Sequence, residues 1–220
     1  MKRLLAVTLI LCIAITIAAA RSRHRNQTAN TPGVFDYYLL TLSWAPDYCA
    51  MPNAKQNSRE CANGNHVGFV VHGLWPQFNN GGYPKECAPA RPVASDIVTR
   101  MLTYIPDAGL VQHEWKEHGT CSGLDAATYF GQIRQVFDSV KIPDQYKTLD
   151  HSIDVSPNDV EVNFASANAS FPMGAVHVGC GGGKQLSDVR ICFTKDLQAQ
   201  ACPATEKDCT ASTLTMLGER

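Results

Sequence analysis

Residues 113–121 read HEWKEHGTC. Two histidines, two glutamates and a lysine within six positions can move protons or hold a metal. The zinc signature H-E-x-x-H would need its second histidine at position 117, where Glu117 stands, and the histidine follows as His118. His113 and Glu117 are four apart and could offer a zinc ion two ligands, but a third would have to come from elsewhere in the chain. On a helix, Glu114 and His118 share a face, and His113 sits about 100° round the axis. A further histidine, His72, ends the apolar run FVVHG. A strand that finishes in His-Gly presents the imidazole at a sheet edge.

If that strand packs on the 113–118 helix, His72 faces Glu114 and His118 across a cleft. Two opposed histidines support concerted acid–base chemistry, one taking a proton while the other gives one. A neighbouring carboxylate can orient a group or answer developing charge. No serine or cysteine nucleophile is required when the substrate brings its own. RNA does, because its 2′-hydroxyl lies beside its own phosphate. A Cys87–Cys121 bond would staple the segment after the helix to the loop after the strand.

The elements that must position these residues follow from local pattern. VFDYYLLTLSWAP (34–46) reads as a central strand ending at Pro46, and HVGFVVHGLWPQ (66–77) as an apolar strand that stops at Gly73. NNGGYPKECAPARP is a turn-rich loop. PVASDIVTRMLTYIP places Ile97, Val98, Met101, Leu102 and Ile105 on one helical face. LVQHEWKEHGT is a helix stopped by Gly119. Asp125 caps a helix carrying Phe130, Ile133, Val136, Phe137 and Val140, and Ser156 caps another with Pro157 in its first turn. GAVHVGC and QLSDVRICF read as closing strands, and the GCGGGK between them as a turn, since it lacks the P-loop spacing. Helices grouped between strands argue for an α+β fold, a central antiparallel sheet with packed helices in one disulfide-stapled domain.

The 220-residue chain opens on MKRLLAVTLILCIAITIAAA. Residues 1–20 have the basic start, apolar run and small-residue end of a secretory signal peptide cut after Ala20, and the run is short for a membrane anchor. Residues 21–33 are a polar arm, and 34–220 form the domain. Removing Lys2 and Arg3 leaves 17 basic against 20 acidic residues, near −3. That balance excludes a polyanion binder working through bulk charge, so any polyanion must be held at a local site. Apart from Cys12, eight cysteines remain (Cys49, Cys61, Cys87, Cys121, Cys180, Cys192, Cys202, Cys209), an even set that suggests four disulfides in an oxidising compartment, extracellular or periplasmic. No second apolar run spans a bilayer, so no membrane association is expected once the leader is removed. No oligomerisation surface stands out, so a monomer is expected. NQT at Asn26 and NAS at Asn168 are glycosylation sequons. His24, His66, His151 and His177 read as tail, surface or structural, and Trp44 and Trp115 as core.

FVVHGLWPQ and HEWKEHGTC together resemble the two active-site signatures of the ribonuclease T2 family, secreted acid endoribonucleases that include plant self-incompatibility ribonucleases. FDYYLLTLSWAPDYC is similar to that family's first strand, and GCGGGKQLSDVRICFTKDL with CP at 202–203 to its last ones. The resemblance covers most of residues 35–209. It implies low-specificity cleavage of single-stranded RNA through a 2′,3′-cyclic phosphate, with no metal or cofactor. It implies His118 as base toward the 2′-hydroxyl, His72 as acid toward the leaving 5′-oxygen, Glu114 as stabiliser of the pentacoordinate phosphate, and His113 as phosphate binder. Trp75 and Tyr83 are implied as base-stacking residues and Gln77 as a polar contact to a base edge. The disulfides implied are Cys49–Cys61, Cys87–Cys121, Cys192–Cys202 and Cys180–Cys209. Two positions depart from the family pattern. Glu117 stands where a lysine is usual, and an acid there is expected to raise the pKa of His118 and repel phosphate. Leu110 stands where many members carry an aromatic residue for the second base.

Overall fold

A computed structural model of the chain describes residues 30–56, 58–181 and 184–219. The leader, most of the polar arm with His24 and the Asn26 sequon, and the middle of GCGGGK lie outside the described residues. Residues 30–33, the last of the arm, are fastened. Gly33 N donates to Cys121 O at 2.9 Å, and Lys195 Nζ donates to Gly33 O at 3.0 Å.

Four strands form an antiparallel sheet: β1 (Tyr37–Trp44), β2 (Phe69–Gln77), β4 (Val176–Cys180) and β5 (Leu186–Phe193), in the order β2-β1-β5-β4. A second pair joins β3 (Ile153–Val155) to β6 (Leu214–Met216). The helices are α1 (Ala45–Cys49), α2 (Ser95–Met101), α3 (Ala108–Glu117), α4 (Ala126–Ser139) and α5 (Pro157–Ala167). The α+β expectation holds. The β3–β6 pair and α1 carry no period in the sequence and were not foreseen.

Alternation along β1 sorts the sheet into two faces. Tyr38, Leu40, Leu42 and Trp44 join the main core with Phe130, Ile133 and Val136 of α4 and Val160 and Phe164 of α5. Tyr37 and Leu39 face the other way, with Trp75, Cys192 and Cys202. Trp44 is core, and Trp115 packs partly buried against it, as expected. The helix starts are those the sequence indicates. Asp125 accepts from Thr128 N, and Ser156 and Asp159 form a reciprocal capping box. All four implied disulfides are present. Among the described residues no helix is long and apolar enough to cross a membrane.

Two local expectations fail for tertiary reasons. The second strand does not stop at Gly73; it begins at Phe69 and runs to Gln77, because Gly73 is demanded by a side chain rather than by a turn. Asn168 is no acceptor for a glycan. It is buried at the end of α5, where Oδ1 accepts from Lys141 N and Nδ2 donates to Lys141 O and Phe164 O.

The chain's end is tied to its beginning. Trp44 Nε1 donates to Leu217 O at 2.9 Å, and Leu217 N donates to Asp47 Oδ1 at 3.0 Å. Asp47 is fully buried, and burial outweighs its backbone donors, pushing its pKa up to about 6. A carboxyl whose folded pKa is raised contributes stability that is fully present below its unfolded value and is lost as pH rises through the folded value. Asp47→Asn, which cannot ionise, should therefore gain in melting temperature relative to the parent as pH rises from 4 to 7. Calorimetry of both proteins across that range checks this, and parallel curves would show that Asp47 does not titrate as argued.

Candidate active site

His72 owes its aim to an irregularity in β2. Thr41 pairs with Gly73 and Leu42 with Val71, which leaves His72 as the extra residue of a β-bulge. A bulge bends the strand and redirects a side chain, and bulges concentrate beside active sites. His72 Nδ1 lies 3.4 Å from Ser43 Oγ on β1, and its Nε2 lies 3.7 Å from Glu114 Oε1 on α3.

Glu114 has no solvent exposure (0%). Its Oε2 accepts from Trp75 Nε1 at 2.8 Å. Gly73 makes the room: a Cβ there would overlap Glu114 Oε2 and Trp75 Nε1 and come within 2.9 Å of the carboxyl carbon. His118 caps α3, and its N–H still donates to Glu114 O at 3.0 Å, so the two side chains keep the four-residue spacing expected of them. The Trp75 indole stacks on the His118 ring with centroids 5.1 Å apart at 27°. It also meets His72 edge-on at 5.2 Å. One indole thus touches both histidines and the carboxyl between them.

The chain then turns through a short 3-10 turn, Gly119–Cys121. Gly119 ends the helix by close packing rather than by a left-handed cap. A Cβ at 119 would overlap the Trp115 ring and approach Tyr129 to 2.9 Å. The Cys87–Cys121 bond and the Cys87 N–H···Thr120 Oγ1 bond (3.1 Å) fasten the 78–94 loop to this turn. That loop brings Tyr83, 46% exposed, to 5.5 Å from the His118 ring. Gln77 lies two residues beyond Trp75 on the same sheet face and is buried. His113 is exposed on α3 at the wall of a 310 Å³ cavity that it shares with His72, Leu110 and Ser43.

Burial dominates the electrostatics. Glu114 is pushed up to about 8, by burial first and by the nearby Glu117 charge second, against the pull of the Trp75 hydrogen bond. His118 is pushed down to about 3 by burial, then by His113 and His72. His72 is lowered by burial, with Asp188 opposing and His113 adding. The expectation that Glu117 raises His118 is thus reversed. Desolvation of the buried ring dominates the shift. Lys116 does not substitute for the missing lysine, since its Nζ is paired with Glu86 Oε1 at 2.9 Å on the surface.

Burial thus favours a neutral carboxylic acid at Glu114 and a neutral base at His118 in mildly acid water, and it lowers His72 as well. Glu114 Oε1 and His118 Nδ1 are buried with no hydrogen-bond partner among the described residues, and such atoms are costly unless something fills the cleft. Among the described residues no three His, Cys, Asp or Glu side chains converge as a metal-holding set.

Comparison with known proteins identifies the family. The sequence model of the Ribonuclease T2 family matches residues 35–202. This chain belongs to that family. A "Probable ribonuclease" of Haemophilus influenzae is 34% identical over 144 residues, 59% of this chain, and the chain spans about half (52%) of that relative's length. "Ribonuclease DdI" of Dictyostelium discoideum is 29% identical over 214 residues, 90% of this chain and 91% of the relative. Among solved structures, RNase NT in complex with 5′-AMP shares the fold with a TM-score of 0.63 and 20% identity, over 82% of this chain and 97% of that one.

The sequence analysis did not single out Gly73, the bulge or Ser43 as parts of the site. The Gly after His72 was visible but read as a stop. Gly73→Ala should cost about 1–3 kcal/mol of stability, the usual penalty of overpacking a filled site. Denaturant unfolding measures it, and an unchanged midpoint would mean that the carboxyl has room to move.

Proposed function

We propose that this protein is a secreted endoribonuclease that cleaves single-stranded RNA without a metal, by acid–base transfer between His118 and His72. The observation that carries the reading is the Glu114 carboxyl, fully buried with His72 Nε2 3.7 Å away and His118 one helical turn on. His118, held neutral, takes the proton from the 2′-hydroxyl. The 2′-oxygen attacks the adjacent phosphorus, and the 5′-oxygen leaves with a proton from His72 Nε2. The products are a 2′,3′-cyclic phosphate end and a 5′-hydroxyl end. Glu114, as a neutral acid, donates to a phosphoryl oxygen as charge builds there. His113 contacts the phosphate from the cavity wall. Tyr83 and Trp75 hold a base by stacking, at ~1–3 kcal/mol per base, which tolerates any base. Gln77 meets a base edge. The family relationship and the 5′-AMP complex of RNase NT support RNA as substrate. Four disulfides fit the extracellular space or periplasm, and the protein acts as a monomer.

The reaction needs His72 protonated and His118 neutral. His118 titrates at about 3, and His72 lies below its ordinary 6.5, so the profile should peak in the acid range and fall before neutrality. The test is the mature, disulfide-bonded protein with single-stranded RNA in excess EDTA from pH 3 to 8, assayed for cyclic phosphate ends. His72→Ala and His118→Ala should each lose ~10²–10⁴-fold. A rate maximum above pH 7, or full loss in EDTA, would sink the mechanism. RNA bound but intact at every pH would make this a binding homologue instead.

Glu117 sets a second expectation. It stands beside the cleft where a cation would serve phosphate, and Lys116 is engaged elsewhere. Glu117→Lys should raise kcat/KM about tenfold, the worth of one charge-assisted phosphate contact. A rate no higher than the parent's would show that position 117 does not face the substrate.

A further inference from the structure

The polar face of the sheet continues past the cleft as a single row. His72 stands at the bulge on β2, and Ser43 beside it on β1. Asp188 on β5 pairs directly with Ser43, and Gly179 on β4 pairs with Asp188. Directly opposed residues of an antiparallel pair hold their Cβ atoms about 4.5–5.5 Å apart, so Asp188 and Ser43 stand side by side on one face of the sheet.

Asp188 is only 8% exposed, an unusual place for a carboxylate. Its Oδ1 accepts from Arg190 Nε at 2.5 Å, and its Oδ2 from Ser187 Oγ at 2.7 Å. The neighbouring strand leaves space for it. A Cβ on Gly179 would overlap Asp188 Oδ1 and come within 2.7 Å of its Cγ. The sheet therefore accommodates two carboxyls by glycine, Glu114 over Gly73 and Asp188 over Gly179.

Arg190 also donates to Glu206 Oε1 at 2.8 Å, so its one positive charge faces two carboxylates and the row keeps a net negative charge. The other groups around His72 cannot stand in for it. His113 on α3 opposes a proton on the ring, and His118 after it is held neutral by burial. Glu114, 3.7 Å from Nε2, is itself protonated in the working range. Across the cavity Lys55 and Asp107 neutralise each other at 2.8 Å, and Glu60 is held toward its neutral form by burial. Asp188, across the strand pair from Ser43, is a carboxylate that favours a proton on the ring.

We propose that Asp188 is a positioning residue for His72: acting through Ser43, it holds the ring with Nδ1 toward the sheet and Nε2 toward the cleft, and it faces the protonated ring with negative charge. This rests on the reading of His72 as the acid of the reaction. Ser43 is the link. Its oxygen accepts from the Nδ1–H of the protonated ring, and its side chain stands across the strand pair from Asp188.

The test uses the mature disulfide-bonded protein and the Asp188→Asn, Ser43→Ala and His72→Ala variants. A dinucleoside phosphate serves as substrate across pH 3 to 8, and the His72 ring is followed by NMR titration. Asp188→Asn should move the alkaline limb of the rate profile and the His72 titration downward together, by about half a unit to one unit. The rate at pH 4 should stay within about threefold, and KM should be unchanged. Ser43→Ala should lower kcat severalfold at all pH values and alter the Nδ1 nitrogen shift. An Asp188→Asn protein that is folded but whose His72 titration is unmoved would overturn the proposal. If that variant does not fold, Ser43→Ala decides alone, and an unchanged Nδ1 shift and kcat would overturn it. Full activity in His72→Ala would instead sink the reading of the mechanism, since the NMR titration does not depend on turnover.

Discussion

The site depends on one buried carboxyl wedged where a side chain would otherwise be. Glu114 fills the space that Gly73 leaves, and it takes its one short hydrogen bond from Trp75. Each neighbouring feature follows from keeping that carboxyl there. The bulge places His72 next to it. The last turn of α3 carries His118 with it. The Trp75 indole, fixed by its N–H, becomes the surface on which the His118 ring rests. Burial makes that carboxyl keep its proton rather than its charge, and that choice changes what it can do. A carboxylate could only repel a phosphate. A carboxylic acid can donate to one.

Much of this was legible in the sequence because it is local. Asp125 and Ser156 announce helix starts through a hydrogen bond three residues away, and the four-residue spacing of Glu114 and His118 needs only a helix. Two separated motifs located the histidines that the fold brings together. What was not legible depends on partners distant in sequence. Gly73 read as a stop because nothing nearby shows that Glu114, 41 residues on, occupies its Cβ position. Asn168 read as a sequon because its burial under Lys141 depends on how α5 docks. The β3–β6 pair joins three-residue strands some sixty residues apart, too short to leave a period. The sign of the His118 shift was missed for a related reason. Glu117 is adjacent in sequence and its charge is easy to count, whereas desolvation belongs to the whole fold.

The departures at 117 and 110 look different once the surroundings are known. With an acid at 117, the negative charge pushes Glu114 further toward its protonated form. The position therefore supports the neutral acid beside it. Lys116 cannot serve both ends, since Glu86, on the loop fastened by Cys87–Cys121, already holds it. At 110, a leucine in place of a flat ring leaves an open cavity beside His72, lined by charged groups from the Cys49–Cys61 loop and α3.

A row of residues one strand deep connects this cleft to the far side of the sheet. Trp75 and Gly73 on β2, Thr41 and Ser43 on β1, Arg190 and Asp188 on β5 and His177 and Gly179 on β4 all lie on the face that the helical core leaves free. In an antiparallel sheet with one buried face the other is normally solvated. Here part of it is polar and buried. Buried polarity of this kind costs stability unless it is fully paired, and the Asp188–Arg190–Glu206 set is paired. The pairing is unequal, two carboxylates to one guanidinium. One of the two, Asp188, stands directly across the strand pair from Ser43, the residue against which the His72 ring rests.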